Sequence, residues 1–172
     1  MAKIKKNLIG FLGGSFDPPH KGHLKIGIES IKNFKLDKLY WIITNKNPFK
    51  KKPFFKISER IKRCKIITKE NKKIEVKFLE KLIKSPRTID ILKYLIRKNK
   101  NSKFFLIIGS DNLINFHKWK KYKELLKLCK LVVFSRHGFD QKAKKSFVVR
   151  KMAKKEIIYI KNSKINISSS QL

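Results

Sequence analysis

The sequence has two cysteines and no long apolar run. Cys64 and Cys129 lie far apart and form no CxxC motif, which is typical of small buried side chains in a reducing compartment and not of a disulfide framework. No segment approaches the ~20 apolar residues of a membrane span. The basic N-terminus is followed by an apolar run of only about six residues, which does not resemble a secretory signal. We therefore expect a soluble, cytoplasmic protein with no membrane partner.

Acidic side chains are also scarce. The chain has 12 Asp and Glu against 45 Lys and Arg, which gives a formal net charge of +33. A polyanion such as RNA, DNA or an acidic membrane surface would explain this charge. However, Lys far outnumbers Arg, Ile and Asn are plentiful as in AT-rich genomes, and the lysines are spread over every segment. We favour the compositional explanation and keep a basic nucleic-acid-binding module as an alternative from another class.

Glycine and proline are few, and they concentrate in residues 13–23 (GGSFDPPHKGH). An apolar run at 8–12 precedes this segment, and Leu24, Ile28 and Ile31 follow it at helical spacing, which predicts a strand, a turn and a helix. A helix start presents unpaired N–H groups and a positive dipole end, and small residues allow the backbone to approach a ligand. The segment therefore predicts a nucleotide phosphate site, with two imidazoles at the mouth of the helix.

Strand-like and helical segments alternate along the rest of the chain. Further strands are predicted at 38–43, 74–78, 104–108, 131–134 and 157–160, and further helices at 58–70 with Ser58 as N-cap, 89–98, after 111 to Leu128, 141–153 and beyond the hydroxyls of 168–170. This order predicts an α/β fold, a Rossmann-like doubly wound parallel sheet with helices on both faces, in one domain spanning residues 1–172. Ligands bind such sheets beyond the carboxyl ends of the strands.

Two segments resemble the signatures of the nucleotidylyltransferases. His20-Lys21-Gly22-His23 with the preceding residues 14–18 (GSFDP) resembles their His-x-Gly-His signature, and residues 167–170 (ISSS) resemble the Ser-rich start of their late helix. Within this superfamily the chain is similar to the nicotinate-nucleotide adenylyltransferases along essentially its whole length. The segments that carry this closer resemblance are 47–50 (NPFK), 86–90 (PRTID) and 107–113 (IIGSDNL), with Phe116 and Trp119.

The resemblance implies a reaction and a set of site residues. The family transfers AMP directly from ATP to nicotinate mononucleotide with Mg²⁺, and forms deamido-NAD and pyrophosphate. His20 and His23 would be catalytic, because they can donate hydrogen bonds to the α- and β-phosphates. ATP would bind at Gly13, Gly14, Ser15, Phe16, His20, His23, Gly109, Asp111, Ile167, Ser168, Ser169 and Ser170. Nicotinate mononucleotide would bind at Ser15, Lys50, Thr88, Trp119 and Arg136, with Trp119 stacked on the nicotinate ring and Thr88 at its carboxylate.

Several points stay open at this stage. The nearest alternative is a phosphopantetheine adenylyltransferase, whose family usually has Thr where His20 stands. The sequence has no Walker A loop and no GxGxxG fingerprint, which disfavours a kinase or a dehydrogenase. No role is assigned to His117 and His137, and no resident metal site is expected. The second signature should continue to an Arg that grips the ATP phosphates, and the sequence ends one residue short of it. We expect weak activity from a chain that ends at Leu172, because a lost donor costs roughly 3 kcal/mol. Preference for nicotinate over nicotinamide and homo-oligomer formation are both left open.

Overall fold

The computed structural model describes residues 6–45, 52–151 and 157–161. Within these residues six parallel strands form one sheet in the order β3-β2-β1-β4-β5-β6. The strands are β1 (Asn7–Gly14), β2 (Lys38–Ile43), β3 (Ile74–Lys77), β4 (Ser102–Gly109), β5 (Lys130–Phe134) and β6 (Ile157–Ile160). All six predicted strands are confirmed. Their near-continuous apolar runs are typical of parallel strands that helices cover on both faces.

Helices occupy both faces of the sheet, which confirms the doubly wound α/β fold. They are α1 (Lys21–Phe34), α2 (Ile57–Thr68), α3 (Glu80–Ile83), α4 (Thr88–Lys98), α5 (Ser110–Ile114), α6 (Tyr122–Leu128), α7 (Asp140–Lys144) and α8 (Phe147–Lys151), with a 3₁₀ turn at Phe116–Lys118. No helix in the described ranges is both long and apolar enough to cross a membrane.

The strand order reverses between β1 and β4, and this reversal positions the site. β1 pairs with β2 on one side and with β4 on the other. The chain leaves the neighbouring carboxyl ends of β1 and β4 toward opposite faces, because α1 packs on one side of the sheet and α5 on the other. Such a switch point opens a crevice where parallel sheets bind ligands.

Two apolar layers enclose the sheet. Neighbouring strand residues alternate between them, so that Phe11 packs with α4 and α6 and Leu12 packs with α1 and α2. Cys64 and Cys129 are buried free thiols, as predicted. Burial raises the pKa of each thiol to about 12, so both are unreactive side chains of the core.

The predicted helix after the turn is α1, but the face that it turns to the sheet is not the one with Ile28. This residue is 44% exposed, because α1 faces the sheet through small residues: a Cβ on Gly27 would lie 3.2 Å from Leu39 and 3.3 Å from Trp41. Two local predictions were wrong. Ser58 is not an N-cap, since α2 begins at Ile57 with no side-chain cap. The predicted helix at 141–153 is divided into α7 and α8, because the N–H of Ser146 bonds to the carbonyl of Ala143 in a tight turn.

Candidate active site

A cavity of about 860 Å³ opens at the switch point of the sheet. This volume lies within the range typical of small-molecule sites. The predicted site residues that fall within the described ranges all line this one cavity: Gly13, Gly14, Ser15, Phe16, His20, His23, Thr88, Gly109, Asp111, Trp119 and Arg136. Lys50 and residues 167–170 lie outside the described residues. The roles of all these residues remain predictions, but most of them share one cavity.

The two histidines cap the start of α1. Nδ1 of His20 accepts a hydrogen bond from the N–H of Gly22 at 3.1 Å, and Nδ1 of His23 accepts one from the N–H of His20 at 3.3 Å. This is a capping box in which imidazoles take the places that Ser and Glu usually have. A ring nitrogen that accepts from a backbone N–H carries no proton, so each neutral imidazole carries its proton on Nε2. Both side chains are therefore Nε2–H donors.

The Nε2 atom of His20 is buried and has no hydrogen-bond partner within the described part of the chain. Burial, and to a smaller extent the positive charge of Arg136, lower the pKa of His20, so the ring stays neutral at pH 7. A buried donor without a partner costs about 1–3 kcal/mol. Such a group in a cavity is typical of a donor whose partner is a ligand.

Phe16 gives the turn before α1 its shape. Its φ of 48° lies in the left-handed region, which side chains other than Gly rarely adopt. The ring is 1% exposed and stacks on Trp41 with centroids 4.8 Å apart, and it lies 5.0 Å from the ring of His23. The packed ring holds this backbone conformation in place. Phe16 can therefore contact a nucleotide only through its main chain.

A polar network joins the ends of β4, β5 and β6. Nη1 of Arg136 donates to Asp111 at 2.8 Å, and the N–H of Arg136 donates to Asp140 at 3.1 Å. Asp140 also accepts hydrogen bonds from the hydroxyls of Ser135 and Tyr159. Burial alone would raise the pKa of Asp140, but these hydrogen bonds outweigh it and lower the pKa. Asp140 was not predicted from the sequence, although an acid shortly after a buried strand is a signal for this edge of the sheet.

The opposite wall of the cavity is basic. Among the described residues no side chain caps the first turn of α4, which begins at Thr88, and Asp90 is the one acid in that turn. Trp119 packs against Phe116 with ring centroids 5.0 Å apart. Four cations that the sequence analysis did not select line the cavity as well: Lys84, Arg87, Lys118 and Lys120. This wall suits an aromatic ligand that carries negative charge.

Glu80 is a second acid in the cavity, besides Asp111. Its carboxylate accepts the N–H of Asn45 at 3.0 Å, and burial raises its pKa. Among the described residues no group of three or more His, Cys, Asp or Glu side chains could hold a metal ion.

The sequence matches a known family and named relatives. Residues 11–172 match the cytidylyltransferase-like family. A probable nicotinate-nucleotide adenylyltransferase of Pelagibacter ubique is 46% identical over 168 residues, which cover 98% of this chain and 93% of that protein. A probable nicotinate-nucleotide adenylyltransferase of Fusobacterium nucleatum is 39% identical, over 95% of this chain and 84% of its own length.

Solved structures share the fold. The nicotinic acid mononucleotide adenylyltransferase of Plasmodium falciparum, complexed with APC, superposes with a TM-score of 0.73 at 22% identity, over 96% of this chain and 81% of its own. The complex of that enzyme with NaAD gives a TM-score of 0.72 at 23% identity, over 96% and 82% of the two chains. At these identities the likeness concerns the arrangement of strands and helices.

Proposed function

We infer the function from the premise that this chain belongs to the nicotinate-nucleotide adenylyltransferase family, with 46% identity to a relative over 98% of its length. We propose that it transfers AMP from ATP to nicotinate mononucleotide. An oxygen of the mononucleotide phosphate bonds to the α-phosphorus of ATP, the bond from that phosphorus to the bridging oxygen breaks, and pyrophosphate leaves. The products are deamido-NAD and pyrophosphate.

The observation that carries this proposal is the buried Nε2–H of His20, which lies beside His23 at the start of a helix and has no partner within the described residues. Negative charge on the phosphate oxygens must be held in line during phosphoryl transfer, and donors fixed in advance do this most effectively. The capping hydrogen bonds fix both rings before a substrate binds. His20 and His23 therefore donate to the α- and β-phosphates in our proposal, and the N-terminus of α1 adds its dipole.

The two ends of the cavity suit the two nucleotides. Gly109 and Asp111 lie at the end of β4, where we propose that the adenosine half binds, and Thr88 and Trp119 lie on the basic wall proposed for nicotinate. Arg136 was assigned from sequence to nicotinate mononucleotide. Its ion pair with Asp111 and its effect on the pKa of His20 favour a position beside the ATP phosphates, and we propose that role instead.

We propose that Mg²⁺ enters as part of the Mg-ATP complex, because phosphate oxygens are among the hard ligands that this ion prefers. The ion would neutralise charge on the leaving pyrophosphate. A cytoplasmic location and the phosphate-binding roles of Lys50 and residues 168–170 stay predictions.

Release of pyrophosphate tests the proposal. We expect release only when Mg-ATP and nicotinate mononucleotide are both present, and none when phosphopantetheine replaces the mononucleotide. For alanine variants of His20 and His23, His137→Ala is the matched control, because this histidine is exposed and does not line the cavity. Release with phosphopantetheine and none with nicotinate mononucleotide would favour the alternative adenylyltransferase. Release with neither acceptor would contradict the enzyme assignment.

A further inference from the structure

A charged side chain is buried in the apolar layer on one side of the sheet. Arg60, in the first turn of α2, is 1% exposed. A buried guanidinium stays charged, and it is costly unless its donors are satisfied. No carboxylate among the described residues forms an ion pair with it. The hydrogen-bond partners of the guanidinium therefore indicate the role of Arg60.

Arg60 donates to the main chain at three separate places. Nη1 donates to the carbonyl oxygens of Ser15 at 2.7 Å and Thr44 at 2.8 Å. Nε donates to the carbonyl of Phe55 at 3.1 Å, and Nη2 donates to that of Asn45 at 3.2 Å. One planar group thus joins the turn after β1, the end of β2 and the segment before α2.

Two carboxylates accept hydrogen bonds from N–H groups of the same main-chain segments. Asp17 accepts from the N–H groups of Phe54 at 2.5 Å and Phe55 at 2.8 Å, and Glu80 accepts from that of Asn45 at 3.0 Å. The peptide between Thr44 and Asn45 has its carbonyl on Arg60 and its N–H on Glu80. We call Arg60, Asp17 and Glu80 the loop clamp.

The loop clamp constrains the turn that leads to the histidines. The carbonyl of Ser15 points at Arg60, so the N–H of Phe16, antiparallel to it in the same peptide, points away from Arg60. Phe16 is the residue with a φ of 48°, and its ring lies 5.0 Å from His23. Fixing the Ser15 peptide therefore fixes the residue on which the imidazole of His23 rests.

We propose that Arg60 is a positioning residue for the transfer reaction. It holds the turn at Ser15 and Phe16 against the end of β2, and this sets the place of the phosphate donors. The proposal rests on the proposed function. Arg60 does not line the cavity, so it acts through the main chain and not by touching a substrate.

Lysine cannot replace Arg60 in this role. An ammonium keeps the charge, but its three donors radiate from one atom and cannot span carbonyls that the guanidinium reaches from three nitrogens. Misplacement of reacting groups by about 1 Å can cost roughly 100-fold in rate. We expect kcat of Arg60→Lys to fall by about that factor, with a smaller change in the KM for nicotinate mononucleotide.

A control variant separates positioning from stability. Thr68 is buried in the same helix, and its hydroxyl donates to the carbonyl of Cys64 at 2.8 Å. Thr68→Val loses this bond without touching the loop clamp. At a temperature where circular dichroism shows both variants folded, we expect Thr68→Val to keep kcat within about threefold of the wild type, as for a substitution away from the site.

A second readout does not depend on the reaction. The chain has four histidines, and ¹H–¹⁵N spectra of their rings report each environment. Arg60→Lys should shift the ring signals of His23 and His20 and leave those of His117 and His137 in place. If the wild type forms no dinucleotide but these shifts occur, the proposed function fails, and Arg60 still positions the two imidazoles.

The proposal is overturned if a folded Arg60→Lys keeps both kcat and the His20 and His23 signals of the wild type. If Arg60→Lys does not fold, Asp17→Asn tests the loop clamp from the other side, because the amide keeps the shape of the carboxylate and one of its two acceptors. The same two ring signals should move, by a smaller amount. Unchanged signals in Asp17→Asn would then overturn the proposal.

Discussion

His20 has two roles in this account, and one substitution separates them. Nδ1 caps α1 by accepting the N–H of Gly22 at 3.1 Å, and the buried Nε2–H donates to a phosphate of the substrate. Asn is a preferred N-cap residue, and its side-chain oxygen can accept the same N–H. His20→Asn therefore keeps the cap and removes the Nε2–H. His20→Ala removes both.

The two variants should differ in stability far more than in activity. Loss of one donor to a transition-state anion costs about 2.7–4 kcal/mol, so kcat should fall roughly 10²- to 10³-fold in both variants. Loss of the cap costs ~1 kcal/mol, so His20→Ala should be less stable than His20→Asn by about that amount. Both variants lose the buried Nε2–H, whose burial without a partner among the described residues destabilises the wild type, so His20→Asn should be at least as stable as the wild type.

Urea unfolding and the pyrophosphate-release assay measure these two quantities on the same preparations. His137→Asn provides the control, since it makes the same change at an exposed position. If His20→Asn keeps near-normal turnover, the Nε2–H is not a donor in the reaction. If the Asn variant is as unstable as the Ala variant, the hydrogen bond that caps α1 does not contribute to the free energy of unfolding.

Three further outcomes follow from the same structure. A Cβ on Gly13 would meet no atom of the described residues within 4 Å, so Gly13→Ala should fold like the wild type. It should lower kcat/KM roughly 10- to 100-fold, because the methyl group enters the cavity. Equal kcat/KM would remove Gly13 from the site. Burial and Arg136 lower the pKa of His20, so the native state binds fewer protons there than the unfolded chain does. Its contribution to stability is therefore present above the ordinary histidine pKa and is lost as the pH falls through it, and urea titrations at about pH 7.5 and 5.5 should show a larger loss for the wild type than for His20→Asn. Cys64 and Cys129, whose thiol pKa values burial raises to about 12, should react with a thiol reagent only after unfolding; rapid reaction of the native protein would contradict their burial.

Much of the fold could be predicted because the sheet has a simple sequence signal. Runs such as residues 104–108 are apolar without interruption, since parallel strands between two helical layers bury both faces. Helix faces were harder to predict. Ile28 fits the helical spacing, but the close approach at Gly27 turns another face of α1 to the sheet. The start of α2 at Ile57, and not after Ser58, also follows from tertiary contacts of the preceding segment.

The candidate site was predictable where it depends on residue type at strand ends. The turn with His20 and His23 and the segments at Gly109 and Thr88 all meet at one cavity. The loop clamp could not be found in this way. Arg60 is one of 45 basic residues, and its importance comes from carbonyl groups that are 5 to 45 positions away along the chain. Long-range main-chain contacts leave no pattern in a single sequence.

The function proposed for this cavity is the joining of AMP to nicotinate mononucleotide, and the mass of the product is the sharpest test of that function. The protein is incubated with Mg-ATP and an equimolar mixture of nicotinate mononucleotide, nicotinamide mononucleotide and phosphopantetheine, and the products are identified by mass spectrometry. We expect deamido-NAD as the main product, and its loss in His20→Asn. Dephospho-CoA as the main product, or no adenylylated product at all, would refute the proposed function.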